Sequence, residues 1–176
     1  SFPFTEQARP SPFVRLLDET DLLFSFTKLE HNKTYPWQYF WTCNISLPTS
    51  AVREVGGFDA ETFTAAICED VELGYRLQQQ GWQVVYREDC KAEHDHVLTP
   101  QNYIARAEKL GFFTLESYRK HRDPSILWCK SHDDVEAALQ ASVSLFEQYG
   151  AVMPSLEAAL NKFEQDYLGR EIPPAT

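Results

Sequence analysis

The sequence predicts an α/β chain: a sheet with flanking helices, followed by a C-terminal helical hairpin. Three observations carry this. Trp82, Val84 and Tyr86 alternate with Gln83, Val85 and Arg87, the two-residue period of a strand. Immediately upstream, Glu69 to Gln80 sets Val71 and Tyr75, and likewise Leu73 and Leu77, one helical turn apart, with Gly81 to close the helix. Beyond Asp123-Pro124 the character changes. Residues 133–149 and 155–168 read as two amphipathic helices joined at Gly150, and Leu156, Leu160, Phe163 and Tyr167 form the stripe of the second. The chain therefore divides into 1–123 and a helical extension over 124–176.

The remaining elements follow in order. Pro12 suits a first helical turn, and Phe13, Leu16, Leu17, Leu22 and Leu23 then supply a core-facing stripe. His31 to Pro36 reads as a loop. Tyr39 to Leu47 (YFWTCNISL) is rich in aromatic and β-favouring residues and reads as a strand ended by Pro48. Thr49 or Ser50 caps a short helix through Val55, Gly56 stops it in a left-handed conformation, and Gly57-Phe58-Asp59 turns the chain back. Thr99-Pro100 opens a further helix, with Thr99 as cap.

Composition narrows the function. With 43% hydrophobic and 14% aromatic residues over 176 positions, the chain can bury a core. A net charge of −10 is the wrong sign for a nucleic-acid binder, and there is no basic stripe. No segment approaches the roughly 20 apolar residues of a membrane span, and SFPFTEQARPSPF is not a signal peptide. The start without Met reads as the interior of something longer. Cysteines 43, 68, 90 and 129 form no CxxC pair, which speaks against structural zinc and for buried free thiols. A reducing, cytoplasmic setting follows, or one peripheral to a membrane.

Two clusters carry chemistry. Glu69-Asp70 opens a helix, where the dipole favours a carboxylate by roughly 0.3–1 kcal/mol. That alone explains an acidic helix start. It also suits a general base beside a glycine-bearing loop with room for a hydroxyl. In His94-Asp95-His96 the two imidazoles at i and i+2 fall on one side of an extended segment and could converge on one ion, although two histidines do not complete a site and, taken alone, solvated loop histidines are the plainer reading.

Taken together, TCNISLP, GGFD, CEDVELGYRL, GW, VVYRED and AEHDH, in this order, resemble the second half of the catalytic domain in family 2 glycosyltransferases of the GT-A fold. The resemblance covers roughly Phe13 to Gly111. It implies a partial GT-A-like mixed sheet, and an inverting transfer from a nucleotide-sugar donor to a carbohydrate or other hydroxyl acceptor. By resemblance Asp70 is the base, Glu69 positions acceptor or base, and Asn44 borders the acceptor pocket. His94, then His96, is the expected ligand to a divalent cation, Mn or Mg. Trp41 offers a platform for a sugar face, a role for which Phe58 is the second choice after core packing. Arg106, with Lys109, stands where a helix could cover the diphosphate, and an ordinary solvated helix face explains both as well.

The chain departs from the family pattern in lacking an Asp-x-Asp motif and a glycine-rich phosphate loop. The expectation is thus an acceptor-side half that works with a missing N-terminal nucleotide-binding half, or as a homo-oligomer. Two other classes compete. A non-catalytic module that binds carbohydrate or protein would bind glycans without nucleotide or metal, and a metal-dependent hydrolase on Glu69, Asp70, His94 and His96 would cleave a nucleotide-sugar without an acceptor.

Overall fold

A computed structural model describes residues 4–5, 11–20, 23–24, 26–96, 98–137, 140 and 158. They fall into two compact units, one drawn from 1–9 and 14–97, the other from 10–13 and 98–176. No helix among the described residues is long and apolar enough to cross a membrane.

The first unit is organised around one helix. Helix α1 (Pro12–Thr20) carries buried Val14 and Leu17, and Val14 packs with Phe4 and Leu23 in a cluster separate from the main core. Strand β1 (Thr34–Tyr35), helix α2 (Thr49–Glu54), helix α3 (Glu69–Gln79) and strand β2 (Val84–Val85) follow. The core forms where α3 meets its neighbours. Leu73 and Leu77 of α3 pack with Ala51 of α2 and with Phe40, and Ile45, Leu47, Val52, Val55 and Val84 close around them. Phe40, Leu73 and Leu77, nearly fully buried, each stabilise the fold by about 1.5–3 kcal/mol. Gly74 lets the 37–40 segment lie directly on α3, since a Cβ there would stand 2.4 Å from Phe40 Cβ.

Both ends of α3 are closed by backbone geometry. At the C-terminus Gly81 sits at φ +86°, its amide donates to Gln78 O (2.9 Å), and the Trp82 amide donates to Leu77 O (3.1 Å). This paired closure uses the left-handed residue that glycine supplies. At the other end Cys68 takes a left-handed conformation (φ 69°) and its side chain makes no cap.

Several expectations change. His31 to Pro36 is not all loop, because Thr34 and Tyr35 pair antiparallel with Val85 and Val84. Backbone bonds from Asn32 to Tyr86 and from Tyr86 to Lys33 extend the ladder (2.8 and 3.0 Å). The strand expected over Tyr39–Leu47 is replaced by two 3-10 turns, Trp37–Tyr39 and Thr42–Asn44. Packing of Phe40 against Gly74 and capture of the Thr42 amide by Asp70 override the β-propensity of the segment. The cap of α2 is Pro48, not Thr49 or Ser50. The expected mixed sheet reduces, among the described residues, to this two-stranded antiparallel pair plus an isolated parallel bridge between Phe4 and His94. The alternation over β2 holds: Val84 joins the core and Val85 is exposed. None of the four thiols is buried; Cys43 and Cys90 are exposed, Cys68 and Cys129 half-buried.

In the second unit, helix α4 (Pro100–His121) starts as expected, with Thr99 Oγ1 accepting from the Asn102 amide (3.2 Å). It ends at Arg122 in a left-handed conformation, and Asp123 then caps a 3-10 turn over Pro124–Leu127. Residues 132–137 are helical, with Ser131 Oγ accepting from the Asp134 amide (3.1 Å) and Val135 buried. The rest of the expected helical hairpin lies almost entirely outside the described residues.

Candidate active site

The short turn Thr42–Asn44 is the hub that connects the expected site residues. Asp70, the second residue of α3, turns its carboxylate toward it. The Thr42 amide donates to Asp70 Oδ2 (3.1 Å), with the Thr42 hydroxyl farther off at 3.5 Å, and the Val71 amide donates to Oδ1 (2.8 Å). Each carboxylate oxygen thus holds one backbone bond and retains a lone pair for a further donor. Asp70 and Glu69 are both half-buried. At the far end of the turn Asn44 Nδ2 donates to Cys90 O (3.2 Å), which ties the turn to the segment after β2.

Trp41 leads into the turn with its ring in contact with Phe24, Phe26 and Tyr39 (centroids 5.2, 5.2 and 5.4 Å). Phe24 in turn reaches the His94 ring (6.0 Å), so Trp41 and His94 share an aromatic neighbour. His94 also stacks on Phe4 (5.1 Å), while the Thr5 hydroxyl donates to Asp95 Oδ1 (2.8 Å). The structure therefore brings Asp70, Asn44, Trp41 and His94 around one turn and its ring cluster. Arg106 is half-buried on α4 in the second unit, with Lys109 exposed three residues on. Phe58, for which core packing was the first expectation, is half-exposed at 50% because it sits beyond the double-glycine turn.

His94 and His96 do approach each other, with ring centroids 6.0 Å apart. Their neighbour Asp95 is engaged by Thr5. Among the described residues no group of three His, Cys, Asp or Glu side chains is placed to hold an ion. Two imidazoles are a partial ligand set, since a divalent ion takes further oxygen or nitrogen ligands.

Two supports were not anticipated. Glu72 is buried and receives Arg76 through Nε (3.0 Å to each oxygen) and Nη2 (2.8 Å). Arg76 also donates to Gly57 O (2.7 Å) and to Val55 O, and so clamps the Gly56-Gly57 turn onto α3. The i,i+4 spacing of Glu72 and Arg76 was a readable signal. The Thr42–Asp70 bond joins residues 28 apart and left none. The second feature is Cys68, a non-glycine residue held left-handed immediately before Glu69 and Asp70. Such conformations cost about 1–3 kcal/mol and persist where surrounding structure enforces them.

The Glycosyl transferase family group 2 model matches residues 16–152. Two similar proteins are validoxylamine A glucosyltransferases, from Streptomyces hygroscopicus subsp. jinggangensis (strain 5008) and subsp. limoneus. Each is 32% identical over 141 residues, or 78% of this chain, and the match covers 32% and 29% of their respective lengths. The chain thus spans about a third of the relatives it matches. No solved structure matches. The motifs from TCNISLP to AEHDH fall inside the matched span, and on that evidence the chain belongs to glycosyl transferase family group 2.

Proposed function

We propose that this chain forms the acceptor side of a sugar transferase in which Asp70 is the general base. The supporting observation is the turn Thr42–Asn44, which receives the Asp70 carboxylate at one end and carries Asn44 at the other, beside the Trp41 ring. A sugar hydroxyl is a weak nucleophile at neutral pH, and a fixed carboxylate within hydrogen-bond reach removes its proton as attack proceeds. The oxygen then bonds to the anomeric carbon of a nucleotide-sugar, the nucleoside diphosphate leaves with the bonding electron pair, and the anomeric centre inverts. Backbone amides that hold both oxygens of Asp70 fix its direction, so little reorganisation is needed at the moment of transfer. Glu69, one residue earlier, orients the acceptor.

The relatives are named for glucosyl transfer, which makes a glucosyl donor the first to test. The divalent cation, Mn or Mg, would take His94 and His96 as a partial ligand set and draw its other ligands from outside the described residues. Donor binding belongs to a nucleotide-binding half in the whole protein or to an assembly of copies.

The test is Asp70→Asn in the whole protein, assayed for transfer from UDP-, GDP- and dTDP-glucose. A loss of roughly 10²–10⁴ in kcat with an unchanged circular dichroism spectrum is expected. Wild-type turnover would refute the base assignment.

A further inference from the structure

Tyr35, Tyr39, Trp41, Phe26 and Tyr86 form a continuous wall of rings, with successive centroids 5.2, 5.4, 5.2 and 6.3 Å apart. Together with Trp82 they border a cavity of about 520 Å³. That volume lies within the roughly 300–1,000 Å³ of small-molecule sites.

The chemistry of the lining selects the occupant. Among the described residues no Asp or Glu borders the cavity. Its cation, Arg87, is held by Asp89 through two bonds of 3.0 and 2.8 Å. Of the lining amides, Gln78 Oε1 accepts from the Trp37 amide (2.9 Å) and Asn44 Nδ2 donates to Cys90 O (3.2 Å), while Gln83 completes the polar part of the wall. Rings and aliphatic side chains nevertheless make up most of the wall, with Leu29, Phe40, Ile45, Leu47, Leu77 and Val84 beside the aromatic residues. A flat apolar group gains, because it exchanges water for ring faces.

Position completes the argument. Asn44, which borders the cavity, ends the same three-residue turn whose Thr42 amide holds Asp70. Asn44 thus links the cavity wall to the turn that holds the Asp70 carboxylate.

We propose that the cavity is the subsite for an apolar aglycone, so that the acceptor is a hydroxyl compound bearing an aromatic or similarly flat apolar group rather than a free sugar. This rests on the acceptor-side reading above and narrows it. The experiment is calorimetric titration of the whole protein with phenyl β-D-glucoside and with methyl β-D-glucoside. The phenyl compound is expected to bind roughly tenfold or more tightly, from the apolar area its ring buries. That preference should vanish in Trp82→Ser and, independently, in Tyr39→Ser, each shown to be folded by circular dichroism. It should persist in Asp70→Asn, which removes the base and no lining ring. Equal affinity for the two glucosides, binding of neither, or a preference that survives both ring substitutions would overturn the proposal. Turnover by Asp70→Asn would bring down the base assignment alone, because the phenyl preference is read from binding.

Discussion

Replacing Gly74 with alanine sets two effects of opposite sign against each other. In an open helix the change stabilises by about 0.8–1 kcal/mol, since alanine loses less conformational freedom. At Gly74 the added methyl would lie 2.4 Å from Phe40 Cβ, 2.7 Å from Phe40 Cγ and 3.1 Å from Trp37 O. Carbon atoms in contact sit about 3.5–4.0 Å apart, so α3 and the 37–40 segment would have to separate by about 1 Å. Overpacking of this kind costs about 1–3 kcal/mol. The upper half of that range applies, because the obstruction is a Cβ fixed to the backbone, and the net expectation is a loss of about 1–2 kcal/mol. Gly111 provides the control: it lies in α4 and a Cβ there would meet nothing within 4 Å. Urea denaturation followed by far-ultraviolet circular dichroism should show Gly111→Ala stabilised and Gly74→Ala destabilised. In thermal melts the latter loss corresponds to roughly 2–4 °C per kcal/mol. Stabilisation of both variants would refute the close approach and with it the reason the 37–40 segment is a turn.

Other perturbations separate the supports of the site. Glu72→Ala leaves Arg76 half-buried opposite no carboxylate and should destabilise by about 3–5 kcal/mol in the same denaturation assay. Glu72→Leu combined with Arg76→Met should recover much of that loss, because no buried charge is left unpaired. Outside the core, the Arg87 guanidinium lowers the Asp89 carboxyl from 3.8 to about 2, chiefly through its hydrogen bond. With the folded value depressed, the contribution of this pair to stability is complete above the unfolded value and is lost as pH falls through about 2. Carboxyl-carbon NMR should place the Asp89 midpoint there, and Arg87→Met should return it toward 3.8.

What could be read in the sequence was local. Helix α3 and its glycine stop follow from spacing and a single φ requirement, and Thr99-Pro100 announces α4 because a cap and a first-turn proline act within four residues. The alternation over Val84-Val85 survives for the same reason. Tyr39 to Leu47 failed because its conformation is decided by partners far along the chain: Gly74, which admits Phe40, and Asp70, which takes the Thr42 amide. Residues such as Asp70, Asn44 and Trp41 could be named from motif order. That one turn joins them could not, since the bonds that do so cross 28 and 46 positions. The Phe4–His94 bridge was invisible too, because two extended residues carry no period.

The bond from Thr42 to Asp70 can be removed almost alone, and this gives the sharpest test of the hub. Proline lacks the amide that donates to Asp70 Oδ2, and it requires an extended residue before it. Trp41 already has φ −101° and ψ 115°, and Thr42 opens a 3-10 turn, a position where proline is well tolerated. Thr42→Pro should therefore fit the backbone and delete the 3.1 Å bond. Hydrogen bonds to charged groups contribute about 1.5–3 kcal/mol, and the exposure of Thr42 places this one at the lower end. Thr42→Ala keeps the amide and loses only the hydroxyl contact at 3.5 Å, so its cost should be near zero. If Asp70 is the base, and if this bond directs it, kcat should fall in Thr42→Pro and stay near wild type in Thr42→Ala, with KM for the donor unchanged in both. Equal losses in the two variants would assign the effect to the hydroxyl. Full activity in Thr42→Pro would show that Asp70 needs no such anchor, and the turn would then be a structural neighbour of the site and not part of it.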